Sequence, residues 1–113
     1  MAEMTRRERL LATFEGEQVD RPAVALWRHF PGDDQRPADL AWATLSWQAQ
    51  WDWDFIKVSP ASSFCLVDWG VADRWVGGDE GNREYTRRAV LQPADWLKLG
   101  VLDPERSNLA GQL

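Results

Sequence analysis

The run Val19-Asp20-Arg21-Pro22-Ala23-Val24-Ala25-Leu26-Trp27-Arg28-His29-Phe30 narrows the folds open to this chain more than any other stretch. It opens on a polar turn, passes through an unbroken apolar run from Ala23 to Trp27, and leaves on the charged pair Arg28-His29. Apolar residues without alternation suit a parallel strand covered on both faces. Parallel strands in turn require long crossover connections, usually helices. Pro22 fixes its own φ and biases Arg21 toward extended geometry, so the strand is expected to begin there. Asp20, just before it, can accept from nearby backbone N–H groups as an Asx turn. In a barrel of parallel strands the C-terminal strand ends carry chemistry and the N-terminal ends carry stability. Arg28 and His29 fall on the first side, Asp20 and Arg21 on the second.

The flanking sequence fits a βα rhythm. Thr5-Arg6-Arg7-Glu8 is a capping box, and Gly16 ends the helix it starts. Leu10, Leu11 and Phe14 form one side of that helix, which is expected to close the bottom of a core. Pro37 or Ala38 opens a second helix predicted to run to about Trp53, with Asp39 favourable in its first turn. Leu40, Ala43, Thr44, Trp47 and Trp51 share one face, and Trp42, Leu45 and Ala49 line the next. So wide a stripe predicts a helix between a sheet and other helices, a core element rather than a cofactor box. Asp52-Trp53-Asp54 closes it, and Phe55 to Ser59 reads as the second strand. Beyond Pro60 the rhythm breaks. Arg74-Trp75-Val76 and Arg83-Glu84-Tyr85-Thr86 read as arms of a hairpin around Gly77 to Asn82. That turn lacks the Lys-Ser/Thr of a phosphate loop. Pro93 starts a short helix, and Leu102-Asp103-Pro104 is a further turn.

The chain has 113 residues, 44% hydrophobic and 27% charged, so it is one domain at most or a piece of a larger one. It lacks the run of about 20 apolar residues that spans a membrane, and its start lacks a signal-peptide core. Cys65, the single cysteine, excludes an internal disulfide and fits a reducing cytoplasm. A net charge of −5 argues against nucleic acid or an anionic membrane as partner. Eight tryptophans are more than so short a domain can hide. The excess points to further chain that would cover them or to a homodimer, and the ending at Leu113, without a closing strand, reads as cut off.

With Val19-Asp20-Arg21-Pro22 and Leu26-Trp27-Arg28 in hand, the chain resembles the uroporphyrinogen decarboxylase superfamily. The ordered set continues with the long helix, Asp54-Phe55-Ile56-Lys57-Val58, Asp68-Trp69-Gly70 with the hairpin, and Pro93-Ala94-Asp95-Trp96. The resemblance spans essentially the whole chain but only the first third of a family member. It implies an α/β fold, the N-terminal part of a (β/α)8 TIM barrel over residues 1–113 with a β-hairpin excursion after the second strand. It also implies a cofactor-free lyase that decarboxylates the acetate groups of a porphyrin precursor, usually as a homodimer. Zinc-dependent methyltransferases that serve corrinoid proteins and thiols belong to the same superfamily, and their metal ligands would lie outside this chain. Arg28 matches the arginine that grips substrate carboxylates in the decarboxylases. Gly32 stands where they carry a second arginine, and Ser59-Pro60-Ala61 where they carry an aspartate, so another substrate stays open.

The candidate substrate-binding residues are Arg28, His29 and Lys57. A guanidinium fork pairs bidentately with a carboxylate and stays charged at any working pH. His29 is the sole histidine and a candidate proton donor, against a plainly packed side chain. Lys57, inside an apolar strand, either faces an interior anion or snorkels outward between helices. Cys65 is expected to be buried or inert, and Asp33-Asp34 and Asp79-Glu80 to be solvated loop charges. Three functions remain in view: a decarboxylase-like enzyme acting on an anionic small molecule and inactive as this short chain, the methyltransferase, and a non-catalytic tryptophan-rich interaction module.

Overall fold

Helix α1, Arg6–Glu15, begins where the capping box requires. The Glu8 backbone N–H donates to Thr5 Oγ1 at 3.2 Å, and the Thr5 N–H donates to Glu8 Oε2 at 2.8 Å. Gly16, at φ 71°, ends it in the left-handed region that a side chain would resist. The face it buries is not the expected one. Arg9 and Ala12 are buried, whereas Leu11 is exposed and Phe14 is 76% exposed. An ionic contact, described below, turns the helix so that its arginine faces inward.

A computed structural model describes residues 2–112 and separates the chain into two compact units. These are Met1–Arg28 with Thr44–Val58, and His29–Ala43 with Ser59–Leu113. Helix α2, Pro37–Trp51, starts at the expected proline and stops two residues early. Asp52 takes up φ 57°, an αL conformation that aspartate tolerates better than most residues, and the helix cannot continue through it.

The two runs expected as strands, 23–27 and 55–59, join no ladder, so the parallel pair is not formed as regular sheet. Residues 24–27 and 54–57 nevertheless lie side by side in the same sense. The Asp54 N–H donates to the Val24 carbonyl at 2.9 Å, and Lys57 Nζ stands 4.3 Å from the Trp27 ring centroid. Trp47 of α2 donates its indole N–H to the Leu26 carbonyl at 3.0 Å. Trp47, Trp51 and Trp53 gather with ring centroids 5.7 to 6.5 Å apart.

The second unit contains the expected hairpin as the sheet of the described residues: β1, Ala72–Trp75, antiparallel to β2, Arg83–Arg87. Arg74 and Glu84 pair directly across it, joined at 2.7 Å, and a register shift after Ala72 makes a bulge. Asp73 and Arg83 form a second, buried pair at 2.6 Å. Arg83 also donates to Gln35 Oε1 at 3.2 Å, and Gln35 donates to Asp34 Oδ1 at 2.6 Å. Asp34, expected to be solvated, is 2% exposed, because this polar chain ties its loop to the hairpin. Pro93–Lys98 is a tight 3-10 turn. Asp95 accepts from the backbone N–H groups of Leu91 and Gln92 and from Lys98 Nζ at 2.6 Å. The Lys98 contact, helped by those amides, holds the Asp95 carboxyl below its usual range. A short α3, Asn108–Gln112, follows.

Candidate functional site

A charged cluster stands at one end of the paired segments of the first unit. At their N-terminal ends lies a four-residue ionic cluster. Arg9 donates Nε and Nη2 to the two oxygens of Asp20, each at 2.7 Å, and Nη1 to Asp54 Oδ1 at 2.8 Å. Arg21 donates a fork to Asp54 at 2.5 and 2.9 Å. Backbone groups complete the shell: the Val24 N–H donates to Asp54 at 2.8 Å, and the Met4 and Arg21 N–H groups donate to Asp20 at 2.9 Å. The side chains of Arg9 and Asp54 are each 2% exposed. Buried charges persist where their remaining hydrogen-bonding capacity is met, and here it is. Hydrogen bonds from Arg9 hold the Asp20 carboxyl far below its usual range, and those from Arg21 do the same for Asp54. The Arg9 guanidinium is pushed up in return, chiefly by Asp20.

Asp20 and Arg21 thus take the structural role read from their position before the strand. Arg9 and Asp54 were not legible as their partners. The contact joins residues 45 apart in sequence, and no periodicity links a helix arginine to the residue after a later helix. Arg9 lies on the face of α1 away from Leu10, Leu11 and Phe14, so the apolar stripe gave no signal for it.

At the opposite ends of the segments stand the sequence candidates. Arg28 is exposed, at the end of the first run. Val24, Leu26, Ile56 and Val58 are all 44% to 59% exposed. Ala23, Ala25 and Phe55 are less so. The first four form an open alternate set, which Arg28 continues by its even spacing from Val24 and Leu26, and on the other set Trp27, at 52%, and Lys57 are exposed as well. Lys57 belongs to the other set, and its ammonium rests over the Trp27 ring in a cation–π contact.

His29, in the second unit, is half-buried against Gly81. A Cβ on Gly81 would stand 2.9 Å from His29 Cβ, and Gly81 has φ 73°. Close packing, then, fixes where this imidazole sits. Cys65, expected to be buried or inert, is exposed. Among the described residues, no helix is long and apolar enough to cross a membrane. Set against models of known protein families, characterised proteins and solved structures, the chain matches none.

Proposed function

We propose that this chain is the N-terminal portion of a uroporphyrinogen decarboxylase-like barrel and that it contributes Arg28 to a pocket for an anionic, carboxylate-bearing small molecule. One observation carries the reading. Two apolar segments start from a buried ionic cluster, run side by side in the same sense, and present an open apolar face that ends at Arg28. A barrel asks for that arrangement, with stability at the N-terminal strand ends, chemistry at the C-terminal ends, and further strands over the open face. The ordered motifs from Val19-Asp20-Arg21-Pro22 to Pro93-Ala94-Asp95-Trp96 support the same assignment.

In this reading Arg28 neutralises a substrate carboxylate before carbon dioxide departs. His29 and Lys57 stay candidate binding groups by their positions in the sequence, and the lone Cys65 fits a reducing cytoplasm. The test is a titration of the complete protein, barrel included, with uroporphyrin, a stable macrocycle bearing eight carboxylates. Arg28→Ala is expected to weaken binding by about 1.5–3 kcal/mol, the worth of a charged hydrogen bond. Unchanged binding removes Arg28 from the site. A second reading, a non-catalytic interaction module, is favoured by the exposure of Trp27, Trp42, Trp51, Trp75 and Trp96. It gains ground if uroporphyrin does not bind at all.

A further inference from the structure

The second unit holds a cavity of about 600 Å³ that the proposed function does not use. Its volume lies inside the range of small-molecule pockets, about 300–1,000 Å³. Leu66, Trp69, Val71, Tyr85 and Trp96 supply much of its wall, and among all its lining residues Arg88 is the one that carries a charge. Arg74 is tied to Glu84, Arg83 to Asp73, and Arg87 donates to the Gly70 carbonyl at 2.6 Å. Arg88 has no carboxylate within ion-pair distance among the described residues. In a chain with five more negative than positive charges, Arg88 thus stands exposed at the edge of an apolar hollow without a carboxylate of its own.

We infer that this cavity binds a small organic anion with a flat or aliphatic apolar body, the body against Trp69, Tyr85 and Trp96 and the carboxylate on Arg88. Charge complementarity selects the occupant. A neutral apolar molecule leaves the guanidinium without a partner. A simple inorganic anion leaves the aromatic wall uncovered. An aromatic or fatty carboxylate satisfies both, and a guanidinium fork takes a carboxylate with two parallel hydrogen bonds. This inference stands independently of the role of Arg28.

Calorimetric titration of the full chain with 2-naphthoate and with its neutral isostere 2-naphthamide tests it. The carboxylate is expected to bind at least about tenfold more tightly than the amide. Arg88→Gln is expected to erase that difference while leaving the amide's affinity unchanged. Arg88 is exposed, so the variant should fold, and its near-ultraviolet circular dichroism should match the parent. Ala89→Trp, which fills the cavity from its lining, is expected to abolish both ligands. Equal affinities for carboxylate and amide, no binding of either, or an Arg88→Gln variant that keeps the preference would each overturn the assignment.

Discussion

The two ends of the paired segments in the first unit are built on opposite principles. At the Val24 and Asp54 end, four charged side chains interlock, three of them largely buried and Arg21 half exposed, and backbone amides nearby are committed to them. At the Arg28 and Val58 end, the same two runs lie open, apolar and cationic. Chemically similar charges therefore sit in different surroundings, held in a buried lock at one end and exposed beside apolar residues at the other. Arg9 and Arg21 are bound to carboxylates within the cluster, whereas Arg28 stands exposed at the end of its run. The locked end fixes where the open end points.

Breaking the lock should produce the largest effect. Asp54→Asn leaves two guanidinium groups without their shared carboxylate, and loss of one member of a buried pair costs about 3–5 kcal/mol. Chemical denaturation of the variant should show that loss, or no cooperative transition at all. Acid should reach the same contact. Both carboxyls have depressed pKa values in the folded chain, so their contribution is complete above the unfolded value of about 3.9 and fades as pH falls below it. Stability is expected to drop on acidification through that range, and Asp54→Asn should flatten the drop.

Arg28→Ala gives the contrasting outcome, with a binding loss of about 1.5–3 kcal/mol toward a polycarboxylate. Its unfolding free energy should stay within about 0.5 kcal/mol of the parent, as for an exposed position outside the lock. Gly81→Ala comes next. A residue with a Cβ in the left-handed region costs about 1–2 kcal/mol, and the close His29 contact adds to it. A lowered melting temperature checks this. Lys57→Met should have the smallest effect, a loss of about 0.5–1 kcal/mol on removing an exposed cation from the Trp27 ring.

Local chemistry was legible in the sequence wherever it acts over a few residues. The Thr5 and Glu8 box, the Gly16 stop, the Pro37 start and the second arm of the hairpin lie where their residues place them, while the first arm starts two residues earlier and leaves out Val76. Contacts that act at a distance were not. Asp54 looked like a helix terminator, Asp34 like a solvated loop charge, and Leu11 and Phe14 like core. The readings of Asp54, Leu11 and Phe14 turned on a partner far away in the chain, and that of Asp34 on its neighbour Gln35, which Arg83 of the hairpin binds. The runs 23–27 and 55–59 carry the pattern of strands buried on both faces, yet one face of each is open and no ladder forms. Parallel pairing depends on cover from both sides, which an apolar run announces but does not itself provide. Of the candidate site, the position of Arg28 could be read from the turn and run before it, while the packing that holds His29 against Gly81 could not.

Amide hydrogen exchange compares the two ends most directly. Slow exchange is expected at Val24, whose N–H is bound by the Asp54 carboxylate, and at Asp54, whose N–H is bound by the Val24 carbonyl. Leu26, Ile56 and Val58, toward the open end, should exchange markedly faster. Equal rates along both runs, or greater protection toward Val58 than at Val24, would contradict the division into a locked end and an open one.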